Sequence, residues 1–265
     1  MSTTLVSSPT TTAASASTGR TVVIPQLGLG RILATWAAAA VPMGLIAWVI
    51  APRVADHLSG PAPLAQALLV GLTAGLVWQA LLVAGLVFAE QRTLRFRVVR
   101  QALWLQAPTS PRTGRRGGRL WLLTIPLILL FGAEAGLPTP SHPAGRDLGL
   151  VLDTPAGHAL FHGSWGWYAV VLVLGLFNTV LGEELLFRGY LLPRMQRTFG
   201  RADWLANGIL FALYHVHVPW VIPSTFLDSL ILAYPSRRYR SAWLGIIVHS
   251  SQVLFIGLLV LTYVL

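Results

Sequence analysis

Residues 163–188, GSWGWYAVVLVLGLFNTVLGEELLFR, decide the fold of this chain. The first twenty carry no charged side chain, and a helix of that length spans about 30 Å of hydrocarbon. Glu183, Glu184 and Arg188 then follow among apolar residues. A charge at bilayer depth costs about 2.5 kcal/mol or more, and such groups usually face a bundle interior or a water-filled cavity. The stretch therefore predicts a membrane helix with ionisable groups that serve a function.

The composition places the whole chain in a membrane. Its 265 residues are 54% hydrophobic and 11% charged, with a mean hydropathy of +0.65, whereas soluble domains are about 25% charged. Cysteine is absent, which excludes disulfides, thiolate nucleophiles and Cys-ligated zinc. All 19 basic residues are arginine, a bias typical of a GC-rich, bacterial genome. The net charge of +10 comes from arginines between apolar runs, so no nucleic-acid partner is predicted.

Long apolar runs predict an all-α, polytopic transmembrane helical bundle. Six runs are long enough, or nearly so, to span a bilayer, and a seventh shorter one lies between two prolines. We therefore predict about seven spanning helices. The runs are Ile32–Ile50, Leu64–Ala89, Leu120–Gly136, Gly163 to about Pro193, Trp204–Ile222, Ser241–Leu261 and the shorter Thr225–Tyr234.

The chain divides into three predicted regions. Residues 1–30 form a tail, Ser/Thr/Ala-rich and uncharged at its start, which predicts disorder and no cleaved leader. Residues 31–119 hold two helices and a basic cytoplasmic loop, and residues 120–265 hold the core. With a cytoplasmic N-terminus and seven crossings, only Arg53 and Arg146 lie outside. The sequence thus predicts a multi-pass protein of the inner (plasma) membrane with the lipid bilayer as a partner, and it says nothing of oligomeric state.

The acidic pair on the long helix divides into two roles. Glu184 and Arg188 are four residues apart and share a helix face, which predicts an ion pair that supports the site. Glu183 points about 100° away and is left as the carboxylate for chemistry. The alternative is that all three residues form a charged helix end at the membrane interface.

Two histidines are also ionisable groups within apolar runs, His215 in one predicted helix and His249 in the last. Counted from the inner helix ends, Glu183, His215 and His249 lie roughly 21, 18 and 14 Å along their helices at a rise of about 1.5 Å per residue. They are predicted to meet in one layer, in a cavity open to the cytoplasm. A lone membrane histidine can instead be a helix–helix hydrogen bonder.

Neighbouring residues are assigned supporting places by helical spacing. Phe211 precedes His215 by one turn and shares its face, and Gln252 is a second polar group at i+3 from His249. His217 is predicted to face away, unless the proline that follows has already ended the helix. Asp228 is interpreted either as an intramembrane carboxylate or as a residue at the outer interface.

These groups support hydrolysis by activated water. Glu183 would act as general base, one imidazole would position the water, and His249 would donate to a developing oxyanion. The same three residues, Glu183, His215 and His249, would also serve as a zinc site with an open water position, and the sequence leaves both open. It contains no His-Glu-x-x-His helix and no Gly-x-Gly-Asp signature.

The ordered motifs resemble a known protease family. Glu183-Glu184-Leu-Leu-Phe-Arg188, then Phe211-Ala-Leu-Tyr-His215, then His249 are similar to the Glu-Glu-x-x-x-Arg, Phe-x-x-x-His and His-x-x-x-Asn/Asp motifs of the CPBP family. That family comprises type II (Rce1-like) CAAX prenyl proteases and bacteriocin-processing enzymes, and is also called ABI. The similarity covers about residues 120–265.

The resemblance implies an intramembrane endopeptidase that acts on a membrane-anchored peptide or protein, whose prenylation it does not imply. It implies that Glu183 and His215 activate the water, and that His249 forms the oxyanion site together with an Asn or Asp. Val253 stands at that last position, so Gln252 replaces it or activity is reduced. The family has been described both as glutamic and as metalloproteases; of the two we favour a metal-independent mechanism. A catalytically impaired scaffold or immunity-type protein and a proton-relay transporter are the alternatives.

Overall fold

The computed structural model describes residues 22–134 and 136–265, and regular structure there is helical apart from one isolated bridge between Thr109 and Arg116. The all-α prediction is confirmed. Short helical turns connect the longer helices. The helices are α1 (Leu29–Ala55), α2 (Pro63–Gln91), α3 (Phe96–Ala102), α4 (Thr124–Glu134), α5 (Pro155–Phe161), α6 (Trp165–Arg194), α7 (Asp203–Tyr214), α8 (Tyr234–Tyr239, preceded by the π-helical turn Ser229–Ala233) and α9 (Ala242–Val264).

Four of these helices, α1, α2, α6 and α9, are long and apolar enough to cross a membrane. The other predicted spans are shorter or interrupted: α4 has 11 residues and α7 has 12, which is about 17–18 Å of helix against about 30 Å of hydrocarbon. The shortest predicted span is a π-helical turn followed by α8. The count of seven therefore stays a prediction.

The chain begins its packing before the first helix. Most of the predicted disordered tail, residues 1–21, lies outside the described residues. Residues 22–28, which the sequence assigns to the same tail, run against the end of α6. There the Gln26 amide donates to the Pro193 carbonyl at 2.9 Å, and the Leu27 N–H donates to the Arg194 carbonyl at 2.9 Å.

One end of the bundle gathers the arginine clusters. Arg194 is buried at the end of α6 and holds the Glu90 carboxylate of α2 at 2.6 Å. Arg237 of α8 pairs with Asp203 at the start of α7, so the arginine-rich segments after α2, α6 and α8 meet there. We call this the arginine end.

The opposite end collects the remaining loops. The Trp48 indole of α1 donates to the Val216 carbonyl at 2.8 Å, and Arg146 donates to the Ala47 carbonyl at 2.8 Å. The Gly163 N–H donates a hydrogen bond to the Val264 carbonyl in the last turn of α9. We call this the loop end; it contains the two arginines, Arg53 and Arg146, that the predicted topology leaves outside.

The core lies among α1, α2, α6 and α7, and α4 is peripheral. Phe187 of α6 packs edge-on against Phe211 of α7, with ring centroids 5.0 Å apart, and both rings are buried. Within α4 only Thr124 is buried, and large apolar side chains such as Leu129 are exposed. Exposed apolar faces of this kind suit a lipid surround.

Candidate active site

The helix α6 carries three predicted site residues at a place where its turns widen. Glu183 and Glu184 lie between two π-helical segments, Phe177–Gly182 and Leu185–Leu191. Single π-turns inside longer helices occur frequently at functional sites. The regular 100° spacing used for the sequence prediction does not hold across these turns, so the contacts decide where each side chain lies.

The ion pair expected between Glu184 and Arg188 is present and fully buried. Arg188 Nη1 lies 3.0 Å from Glu184 Oε1, and the guanidinium carbon lies 3.9 Å from the centroid of the Phe211 ring. Among the described residues, no acceptor stands in hydrogen-bonding geometry to the guanidinium nitrogens. Charge attraction and the aromatic face therefore hold this cation.

Glu184 also contacts His249, which the sequence analysis did not foresee. His249 Nδ1 lies 3.1 Å from the same Oε1 atom that faces Arg188. The sequence predicted only the pair with Arg188; in the structure one carboxylate oxygen faces both Arg188 and His249. An ionised carboxylate only accepts, so Nδ1 of His249 carries a proton and Glu184 orients the ring.

His215 follows α7 in a tight 3₁₀ turn that fixes its ring. Its Nδ1 lies 2.9 Å from the Phe211 carbonyl, and a carbonyl accepts only, so Nδ1 is the protonated nitrogen and Nε2 keeps its lone pair. The Phe211 ring stands edge-on to the imidazole at 4.9 Å between centroids. The predicted neighbour relation of Phe211 and His215 is thus seen, with the backbone carbonyl as an additional partner.

His217 does not face away from the site, and the exception stated for a helix that has already ended applies. The α-helix ends at Tyr214 and the chain continues as the 3₁₀ turn His215–His217, so the 200° offset of a regular helix does not apply. The two imidazole rings are stacked with centroids 5.5 Å apart. Both line the same cavity.

Glu183 is buried beside two polar residues that the sequence analysis missed. The Tyr214 hydroxyl is a neighbour of the Glu183 carboxyl, and it accepts a hydrogen bond of 2.6 Å from the Gln79 amide of α2. Gln79 could have been recognised from the sequence, because it is an amide in the middle of a long apolar run. Tyr214 could not, since tyrosine is common in apolar helices.

A cavity of about 720 Å³ brings the three predicted catalytic residues together. Glu183, His215 and His249 come from or follow three different helices and all line it, in the size range of ligand-binding clefts. Gln252 lines it too, as predicted from its spacing. Other polar lining residues are Glu134, Arg146, Asp147, Asn178, His217, Ser224, Thr225, Asp228 and Ser251.

Val253, the residue at the Asn/Asp position of the motif, lies outside this lining. Its Cγ1 methyl sits where a side chain on Gly175 of α6 would have to be, so Val253 packs in the contact between α6 and α9. Gln252 and, from α6, Asn178 are instead among the polar residues that line the cavity together with His249.

The cavity extends from the site towards the loop end. Its lining includes Leu137, Thr139 and Asp147 from the segment after α4, and Val218 and Ser224 after α7, whereas none of the arginine clusters contributes. The sequence predicted a cytoplasmic N-terminus and also a site open to the cytoplasm. The two predictions conflict in this structure, because the N-terminal part lies at the arginine end and the cavity runs the other way.

The cavity also reaches the lipid-facing side of the bundle between α4 and α9. Gly132 of α4 and Gln252 and Phe255 of α9 line it and are exposed at the surface. A membrane-embedded segment that entered sideways from the bilayer would pass between these helices.

The geometry of a metal centre is not formed by the side chains as they stand. In residues 22–134 and 136–265, no three His, Asp or Glu side chains are grouped closely enough to hold a metal ion. The hydrogen-bonded Nδ1 atoms of His215 and His249 leave Nε2 available on both rings, a pattern that suits zinc ligands as well as proton transfer.

The site residues Glu183, His215 and His249 lie within a segment of the chain that matches a known family. Residues 164–255 match the family model described as Type II CAAX prenyl endopeptidase Rce1-like. This confirms the resemblance drawn from the motifs, over about a third of the chain. No curated protein and no solved structure matches the chain. The Rce1-like match and the apolar helices together indicate a membrane protease with membrane-associated substrates.

Proposed function

We propose that this chain is an intramembrane endopeptidase that hydrolyses a peptide bond of a membrane-associated protein or peptide. The observation that carries the proposal is the convergence of Glu183, His215 and His249 on one cavity within the Rce1-like stretch. A scaffold has no need to bring three ionisable groups from separate helices to the wall of a cavity, where each loses packing and hydration.

Glu183 and His215 activate the water in this mechanism. The Glu183 carboxylate and Nε2 of His215 both accept, so together they orient the two protons of one water. Glu183 takes a proton as the water oxygen adds to the carbonyl carbon of the substrate. The proton then passes to the amide nitrogen as the C–N bond breaks, giving a carboxylic acid and an amine.

His249 stabilises the oxyanion that forms in the first step. Its Nδ1 already donates to Glu184, so it donates to the oxyanion from Nε2 and carries both ring protons in this role. Glu183 and Glu184 then balance Arg188 and His249, and the buried cluster has no net charge. Such a balance avoids the cost of an unpaired charge in a medium of low dielectric constant.

The mechanism we favour is independent of metal, and it competes directly with a zinc mechanism. Zinc would need Glu183, His215 and His249 within about 2.0–2.2 Å of one ion. Elemental analysis of the purified protein, with activity before and after dialysis against a strong chelator, decides between them. Stoichiometric zinc, with activity lost on its removal and restored by its return, would overturn the metal-independent mechanism and make His249 a ligand.

The protease assignment is tested with proteoliposomes that contain a library of apolar 20-residue peptides with polar ends. Cleavage in H₂¹⁸O labels the new carboxyl group and identifies each bond by mass spectrometry. Glu183→Gln should lower cleavage about 10²- to 10⁴-fold, the usual contribution of a general base, and the exposed Asp153→Asn is the matched control. Full turnover by Glu183→Gln would reject the assignment.

The proposed side of the membrane follows from the positive-inside rule. With the arginine end in the cytoplasm, the cavity opens to the outer face and sideways to the bilayer. Substrates would then be membrane-inserted segments reached from outside the cytoplasm.

A further inference from the structure

A second acidic pair lines the cavity away from the proposed water-activating groups. Glu134 ends α4, and Asp228 precedes the π-helical turn before α8. Helix α4 packs against the turn that follows Asp228, and both side chains line the cavity that holds Glu183. Two carboxyl groups on one cavity wall raise the cost of ionising each other, and a cation between them would remove that cost.

The pair lacks a cationic partner in the part of the chain that the structure describes. Asp228 is only 4% exposed, and its Oδ1 has no hydrogen-bond partner there; the same holds for the buried Oε2 of Glu134. Arg188 is near enough to act on Asp228, but it is paired with Glu184. A buried carboxylate without a partner is costly, so these two unpaired groups on the cavity wall point to a ligand.

The charges of the lining indicate what kind of ligand fits. Four carboxyl groups, those of Glu134, Asp147, Glu183 and Asp228, line the cavity with one arginine, Arg146. The Arg146 guanidinium lies over the Trp48 ring at 4.2 Å and is not paired with an acid in the described residues. A cavity in which one sign of charge predominates concentrates the opposite sign. The cavity is therefore acidic although the chain as a whole has a net charge of +10.

We propose that Glu134 and Asp228 form a subsite that binds a cationic group of the peptide substrate, an ammonium or a guanidinium. The proposal rests on the endopeptidase function, since the subsite lies in the same cavity as Glu183. When the cation binds, the pair holds it between two carboxylates. Substrates would thus be apolar segments with a lysine, an arginine or a free amino terminus near the scissile bond.

Binding tests the subsite apart from catalysis. Glu183→Gln protein in nanodiscs is titrated with one apolar peptide that carries lysine, arginine, glutamine or glutamate at a single position scanned along the sequence, with free or acetylated amino termini. At the best position the cationic peptides should bind at least about tenfold more tightly than the glutamine peptide. A preference that is lost on acetylation alone would assign the bound cation to the amino terminus.

Neutralising the pair identifies the residues responsible. Glu134→Gln/Asp228→Asn in the same background should bind lysine and glutamine peptides equally, whereas Asp153→Asn, an exposed carboxyl outside the cavity, should keep the preference. Each single neutralisation should reduce the preference for the lysine peptide. The single variants therefore test the subsite even where the double variant does not fold. A charge-reversed Glu134→Lys variant should favour the glutamate peptide.

Several results would overturn the subsite. They are equal binding of lysine and glutamine peptides by Glu183→Gln protein, a cation preference that survives in the neutralised variants, and stoichiometric binding of Mg²⁺ or Ca²⁺ that competes with the peptide. Cation-selective binding by a protein that cleaves none of the peptides would reject the protease function while supporting the subsite.

Discussion

At the scale of single residues, Glu184 matters to stability in a way that Glu183 does not. Glu184 faces both Arg188 and His249 through one oxygen, whereas Glu183 is in none of the ion pairs found among the described residues. We expect Glu184→Gln to lower the free energy of unfolding by about 3–5 kcal/mol, because it leaves a buried cation without its counter-ion. Glu183→Gln should lower it little or raise it. Unfolding in bicelles measures both, and equal losses would contradict the division of roles.

Tyr214 should matter to catalysis through its hydroxyl. Tyr214→Phe removes the group between Gln79 and Glu183 and leaves the Gln79 amide unpaired, at a cost of about 1–3 kcal/mol in stability. We expect the hydroxyl to donate to Glu183 during the reaction and kcat/KM to fall about tenfold or more on its loss, since a hydrogen bond to a charged group is worth about 1.5–3 kcal/mol. Gln79→Leu in addition should restore much of the stability without restoring activity. Recovery of activity in the double variant would show that Tyr214 does not act on Glu183.

At the scale of elements, the close approach of α9 to α6 holds the ion pair in place. A Cβ at Gly245 of α9 would overlap the Glu184 carboxylate and lie 3.2 Å from Arg188 Cγ. Gly245→Ala should therefore lower stability by about 1–3 kcal/mol through overpacking and lower activity by displacing Glu184 from His249. Gly85→Ala on α2, with open space around its Cβ, is the matched control and should be neutral or stabilising. Equal activity in the two variants would mean that the position of Glu184 is unimportant.

The sequence predicted those elements and contacts that depend on local spacing. The four long apolar helices and the Glu184–Arg188 pair follow from run length and an i, i+4 interval. The contact between Glu184 and His249 joins residues 65 positions apart, and the sequence has no local signal for it. The position of His217 depended on whether the regular helix continues through it, which the sequence left open, and the structure winds this segment as a 3₁₀ turn.

The proximity of Glu134 and Asp228 to one cavity also has no local signal in the sequence. Glu134 and Asp228 each appear in the sequence as a carboxylate near the end of an apolar run, where an interface position is a sufficient explanation. Only the packing of α4 beside the turn that follows α7 puts them on one cavity wall. A property that arises between distant elements cannot be predicted from either element alone.

At the scale of the whole molecule, the direction of the cavity gives a test of topology. The chain has no cysteine, so a single introduced thiol reports its own position. Thr139→Cys at the loop end should react with a membrane-impermeant maleimide in intact cells. Arg115→Cys, exposed at the arginine end, should react only after the cells are permeabilised. The reverse pattern would place the cavity in the cytoplasm and show that this protein departs from the positive-inside rule.

A lateral entry between α4 and α9 would change which measure of substrate concentration sets the rate. A segment that arrives through the bilayer is encountered in two dimensions, so its mole fraction among lipids sets the rate and its molarity in the suspension does not. Adding inert lipid at constant amounts of protein and peptide should slow the reaction in proportion to the dilution. A substrate taken up from water would be hydrolysed at a rate independent of the added lipid.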